Sequence, residues 1–101
     1  MKNQEKVAEF VEKYDMEASP DYRLVDLVSE VGEVADDVSK STGYGKRPED
    51  VEVKEDEIGD VMFALLALAD SLDVDAGEAL DTAIEKYERR IRSKGAPDSG
   101  G

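Results

Sequence analysis

From Ile58 to Leu72 the chain is apolar almost all the way round a helix. Ile58, Val61, Met62, Phe63, Leu65, Leu66, Leu68, Ala69 and Leu72 leave no wet face. A helix of that kind must be buried on several sides. A chain of 101 residues builds only a small core, so a second subunit is expected to cover part of it. The uninterrupted part, Val61 to Ala69, is too short to span a bilayer.

The other apolar residues also fall at helical spacing. Val7, Phe10, Val11 and Tyr14 mark a first helix over Lys2–Tyr14, and all four are expected in the core. Ser19-Pro20-Asp21 breaks the chain, with Ser19 or Asp21 placed to cap the next helix. That second helix, Tyr22 to Ser39, carries the stripe Leu24, Leu27, Val28, Val31, Val34, Ala35 and Val38. Ser41 to Pro48 reads as a Gly- and Pro-bearing loop. It is either a solvated connector with Tyr44 packed on a neighbour or a contact for an anionic or aromatic ligand. The third helix is predicted from Asp50 or Val51 to Leu72, its acidic start suiting a helix N-terminus. Asp75 is placed to cap a fourth, Ala76 to Arg92, with the stripe Ala76, Leu80, Ala83, Ile84, Tyr87 and Ile91. No strand is expected. The fold class is all-α, a four-helix bundle in one domain over residues 1–92, its core completed by dimerisation. Residues 93–101 are expected to form a disordered tail.

Composition then narrows the chemistry. There is no cysteine and no histidine, which removes disulfides, thiolate sites, the usual zinc ligand and the Glu-x-x-His signature of di-iron bundles. Any metal must be held by oxygen, which favours Mg²⁺, Mn²⁺ or Ca²⁺. Against 13 Lys plus Arg stand 26 Asp plus Glu, a formal charge of -13. Such a surface repels nucleic acid and anionic membranes, so neither is an expected partner. It suits either a high-salt environment or an ordinary acidic protein. Met1 to Glu12 is charged and lacks the apolar centre of a secretion signal, so a cytoplasmic protein is expected.

Two short stretches are near copies: Glu30-Val31-Gly32-Glu33 and Glu57-Ile58-Gly59-Asp60. Acids three apart share one helix face, so two such helices side by side would aim four carboxylates at one place. About six acid pairs at this spacing arise by chance in so acidic a chain. Spacing alone therefore leaves a solvated face and a cation site equally open. Both pairs border apolar stripes, and Asp37 continues the edge that carries Glu30 and Glu33. A helix-interior glycine costs about 1 kcal/mol against alanine. Its repetition at Gly32 and Gly59 predicts close approach of neighbouring helices. Ala64 and Ala67 would leave room beside the carboxylates.

Leu27-Val28-Ser29-Glu30-Val31-Gly32-Glu33, then Glu57-Ile58-Gly59-Asp60-Val61-Met62-Phe63, then Lys86-Tyr87-Glu88-Arg89-Arg90 together resemble the MazG-like nucleotide pyrophosphohydrolases of the all-α NTP pyrophosphatase superfamily. The hallmark is E-x-x-E on one helix, E-x-x-D on the next and a later Lys/Arg element, here covering about Leu24 to Arg92. The resemblance implies a Mg²⁺-dependent hydrolase, with Mn²⁺ as a substitute, that splits nucleoside triphosphates into monophosphate and pyrophosphate and so clears unwanted nucleotides. It implies Glu30, Glu33, Glu57 and Asp60 as metal ligands and catalytic acids, and Lys86 and Arg90 as phosphate-binding residues. It also implies a homodimer or a dimer of dimers. Two departures bear on substrate preference: Ser29 stands where many members have a further Glu, and Ile84 and Tyr87 flank a place where many have Asn.

Two alternatives accompany this reading. Phosphoribosyl-ATP pyrophosphohydrolase shares the superfamily and the triphosphate. A non-catalytic acidic module, dimerising or cation-binding, would need the acids only for solvation. For Lys86 and Arg90 the plain alternative is a basic helix end complementing its own dipole.

Overall fold

Helical spacing is realised along the chain. The computed structural model describes residues 1–94 as four helices: α1 (Lys2–Lys13), α2 (Pro20–Ser41), α3 (Glu55–Ser71) and α4 (Ala76–Lys94), with one 3₁₀ turn at Pro48–Asp50. There is no strand among the described residues. None of the helices is long and apolar enough to cross a membrane. α2 and α3 make the most extensive contact, α1 lies along α3, and α4 meets α3 sparsely. α2 and α3 run antiparallel, since Asp37 meets Lys54 while Glu30 and Glu33 meet Asp60. Pro20 opens α2 behind an extended Ser19, where a fixed φ and a missing N–H cost nothing.

Three helices stop in the same way. After each, one residue takes a left-handed φ: Asp15 at 52°, Gly43 at 59° and Asp73 at 56°. The next N–H then reaches back five residues, Met16 N to Val11 O at 2.9 Å, Tyr44 N to Ser39 O at 2.6 Å and Val74 N to Ala69 O at 2.9 Å. This closure satisfies carbonyls that a helix end otherwise leaves bare. After α2 the turn continues through Tyr44 at 59° and Gly45 at 91°. The Thr42 hydroxyl steadies it, donating to Val38 O at 2.7 Å and accepting from Gly45 N at 3.1 Å.

The core is small. Val7 and Val11 of α1 pack on Leu66 and Ala67 of α3, with Phe63 and Ala76 against them. The Phe10 ring meets Phe63 edge-on with centroids 5.7 Å apart. Gln4 ties α1 to the α3–α4 turn, donating to Val74 O and accepting from Ala76 N, both at 2.7 Å. Asp75 caps α4 as expected, accepting from Glu78 N at 3.0 Å. Arg23 is buried, and its Nη2 donates to Met16 O.

Several expectations need correction. α3 begins at Glu55, not at Asp50 or Val51. Val51 and Lys54 are extended, and Glu52 N donates to Ser41 Oγ at 2.9 Å, holding the segment before α3 along the end of α2. Phe10 and Tyr14 stay largely exposed, as do Leu80, Ile84, Tyr87 and Ile91 of α4. α4 buries no residue in the single chain, so four helices do not close into one bundle there. Ala67 sits in the core with α1 and opens no space by the acids. α4 runs through Ser93 and Lys94, two residues expected in the tail. The rest of that tail lies outside the described residues.

Candidate metal centre

The antiparallel seam between α2 and α3 brings the acid pairs together. Glu30 and Glu33 from α2 and Asp60 from α3 each offer a carboxylate oxygen, all within 4.8 Å of one another. Glu57, one turn before Asp60, belongs to a neighbouring pair: its carboxyl group hydrogen-bonds with that of Asp37. The four expected acids thus form a trio and, beside it, a carboxyl pair that includes a fifth acid.

The electrostatics reflect that crowding. Desolvation, then the charges of Glu33, Asp60 and Asp26, raise the pKa of Glu30 above the ordinary carboxyl range. Glu57 is pushed up to about 7, first by its hydrogen bond with Asp37 and then by desolvation. Asp37 is lowered, chiefly by that same bond, with help from Lys54 and Lys40. Glu57 Oε2 is enclosed with no donor beside it. Contact between two carboxyl groups is attractive only when one holds a proton, and the two shifts give that proton to Glu57.

Beside this pair opens a cleft of about 700 Å³, lined by Ser29, Gly32, Glu33, Asp36, Asp37, Lys40, Lys54 and Glu57. Lys40 pairs with Asp36 at 2.9 Å. The cleft therefore carries cations as well as acids, which spacing along the sequence did not single out. The close approach predicted at the glycines is absent: a Cβ on Gly32 or Gly59 would meet nothing within 4 Å. Gly32 faces the cleft rather than a neighbouring helix, and among the described residues nothing requires glycine at 59. Lys86 and Arg90 lie on α4. Lys86 Nζ sits 5.3 Å over the Tyr87 ring.

This donor set suits a hard divalent cation. It is all carboxylate, it comes from two helices, and its clustered charge is costly without a cation or a proton between the groups. Glu57 Oε2, enclosed without a donor, is an acceptor such an ion would satisfy.

The arrangement has relatives. The MazG nucleotide pyrophosphohydrolase domain matches residues 19–93. The protein YpjD of Bacillus subtilis (strain 168) is 37% identical over 92 residues, spanning 87% of this chain and 78% of that one. The crystal structure of YpjD from Bacillus subtilis superposes with a TM-score of 0.70 at 35% identity, covering 86% of this chain and 90% of the other. The matched span contains both acid motifs and the Lys/Arg element of α4, and with a family match over most of the sequence the chain belongs to the MazG nucleotide pyrophosphohydrolases.

Proposed function

We propose that the protein is a Mg²⁺-dependent nucleoside triphosphate pyrophosphohydrolase, able to use Mn²⁺, that cleaves the α–β phosphoanhydride of (d)NTPs to (d)NMP and pyrophosphate and so clears unwanted nucleotides. One observation carries the reading: Glu30, Glu33 and Asp60 converge within 4.8 Å from two helices, with Glu57 one turn away. The homologue YpjD is itself described as a candidate pyrophosphatase, which fits.

Glu30, Glu33, Asp60 and Glu57 would hold the cation. When bound, it supplies charge neutralisation on the phosphate oxygens and on the leaving pyrophosphate. A carboxylate oxygen of the set that the cation does not engage takes the proton from the attacking water. Lys86 and Arg90 offset the remaining phosphate charge.

The working unit is proposed to be a homodimer or a dimer of dimers. Leu24, Val28, Leu65, Leu80, Ile84 and Ile91 are large apolar residues left exposed on three helices, and a second copy would cover them.

The test is pyrophosphate release from a panel of ribo- and deoxyribonucleoside triphosphates with Mg²⁺, at low and at molar KCl. Glu33→Gln, checked for retained helicity, serves as control. Pyrophosphate and monophosphate in equal amounts, lost in the variant, support the reading. Silence across the panel from folded protein rejects it.

A further inference from the structure

The cleft beside the acid set carries two cations, and nothing in the four-acid motif accounts for them. Lys40 is the last α2 residue along it, seven residues and about two helical turns beyond Glu33. Lys54 lines it from the start of α3. The two are brought to one cleft by a pair of cross-links. Glu52 N donates to Ser41 Oγ at 2.9 Å and Lys54 N to Asp37 Oδ2 at 3.5 Å, which lays the segment before α3 along the end of α2. A second recess of about 250 Å³ is lined by the same Lys40 and Lys54, with Ser41 and Glu52. Both lysines thus border open space on either side. No residue of α4 lines either recess.

Lys54 works against its own helix. It is the N-cap of α3, extended at φ -70° and ψ 139°, and its side chain makes no cap. That position favours Ser, Asn or Asp, and a helix start disfavours a cation. Lys40 suits the last turn of α2 and pairs with Asp36 at 2.9 Å, but the two side chains are 65% and 57% exposed. An exposed pair one turn apart is weakly held and exchanges readily for a stronger acceptor. Phosphate oxygens are such acceptors.

We propose that Lys40 and Lys54 bind the β- and γ-phosphates of the substrate, the part that leaves as pyrophosphate. The inference rests on the pyrophosphohydrolase reading given above and states which end of the triphosphate lies where. Cleavage at the α–β bond places the α-phosphate at the carboxylates that take the proton from water. The leaving pyrophosphate carries the larger negative charge, and Lys40 and Lys54 are the cations this cleft offers it. The alternative is a pair of solvated cations that merely dilute the negative charge of the cleft.

The measurement is isothermal titration of inorganic pyrophosphate into the full chain with millimolar Mg²⁺ at fixed ionic strength. Mn²⁺ affinity without pyrophosphate, from the electron paramagnetic resonance signal of free Mn²⁺, is read beside it, with circular dichroism as the check on folding. Lys40→Met and Lys54→Met are expected to fold, because methionine is about as good a helix former as lysine. Should either not, Lys40→Gln or Lys54→Gln replaces it. Each variant is expected to weaken pyrophosphate at least about fivefold, and the double variant at least about twentyfold, through loss of charge-assisted hydrogen bonds. Mn²⁺ affinity should hold or rise in the same variants, since each removes a positive charge. Lys40→Arg and Lys54→Arg should stay within about threefold of wild type for pyrophosphate. Lys46→Met removes equal charge from the nearby loop, outside both recesses, and should stay within about twofold. A nucleoside monophosphate should bind the double variant within about threefold of wild type.

Wild-type pyrophosphate affinity in the double variant overturns the proposal. So does equal loss in Lys46→Met, which would assign the effect to the general field. Equal loss for the monophosphate would move the lysines to the α-phosphate, and a parallel loss of Mn²⁺ binding would trace the effect to damage of the acid set. A wild type that binds Mn²⁺ but not pyrophosphate also rejects the proposal. Failure of the wild type to bind Mn²⁺ at millimolar concentration rejects the cation site itself, an outcome distinct from all of these.

Discussion

Cation binding should depend on pH through Glu57, and the size of the effect can be worked out. With Glu57 as a ligand in the proposed site, a cation and a proton would compete for this carboxyl group, whose pKa stands at about 7 beside Asp37. The ionised fraction is about nine-tenths at pH 8, half at pH 7 and one-tenth at pH 6. Apparent Mg²⁺ affinity should therefore fall about tenfold from pH 8 to pH 6, with about half a proton released per cation at pH 7. The raised pKa of Glu30 acts in the same direction. Stability of the metal-free protein runs the other way. A carboxyl pKa raised by folding adds stability that is full below the unfolded value, and that contribution is lost as pH rises through about 7. Asp37, whose pKa is lowered, contributes above its unfolded value and loses that contribution only in acid. Mg²⁺ should thus raise the melting temperature more at pH 8 than at pH 6. Isothermal titration in two buffers of different ionisation enthalpy, at constant ionic strength, reads affinity and proton release together. In Glu57→Gln the Glu57 part of the slope should vanish. An affinity constant within twofold from pH 6 to pH 8, with no buffer-dependent heat, would refute the placement of the proton on Glu57.

Three further outcomes are expected. Gly43→Ala should cost about 1–2 kcal/mol through its φ of 59° alone. The new Cβ would also stand 2.7–2.9 Å from the Arg47 guanidinium, which can move. Urea unfolding checks this, and Gly43→Asn should cost less because asparagine tolerates this region. Leu66→Ala, at a side chain only 4% exposed in a small core, should cost about 2–5 kcal/mol by the same assay. A cost under 0.5 kcal/mol would show that the α1–α3 core is not what holds the chain. Leu80→Glu should shift the sedimentation profile toward monomer, since Leu80 is 56% exposed in the single chain. An unchanged profile would take α4 out of the proposed interface.

The helices were legible because each is long enough for its apolar period to be unmistakable, and the absence of strands came from Val and Ile keeping that period. Their ends were harder. The left-handed closure after α2 is written into Gly43, but the same closure after α1 and α3 uses Asp15 and Asp73, residues that tolerate the region without announcing it. The start of α3 misled for a different reason. Glu52 and the acids after it suit a helix N-terminus, yet the backbone of Glu52 is bonded to Ser41 Oγ, a residue eleven positions earlier, and no local pattern contains that bond.

The acid site divides along the same line between local and cross-helix information. Spacing within one helix states which carboxylates share a face, and it placed Glu30 with Glu33 and Glu57 with Asp60. It does not state the register between two helices, and register decides who meets whom across the seam. With Asp60 opposite Glu30 and Glu33, the antiparallel run puts Glu57 one turn further along, where the facing residue on α2 is Asp37. The fifth acid emerges from two helices of matched period and opposite direction, once one cross-helix contact is known. The exposed stripe of α4 obeys the same logic. Periodicity in Leu80, Ile84, Tyr87 and Ile91 reports that a face is made for burial, and among the described residues of one chain it stays open: these residues remain 39–56% exposed. The pattern is a property of the helix, whereas its partner is a property of whatever surface shares its shape, and a second copy of the chain offers the same unpaired stripe.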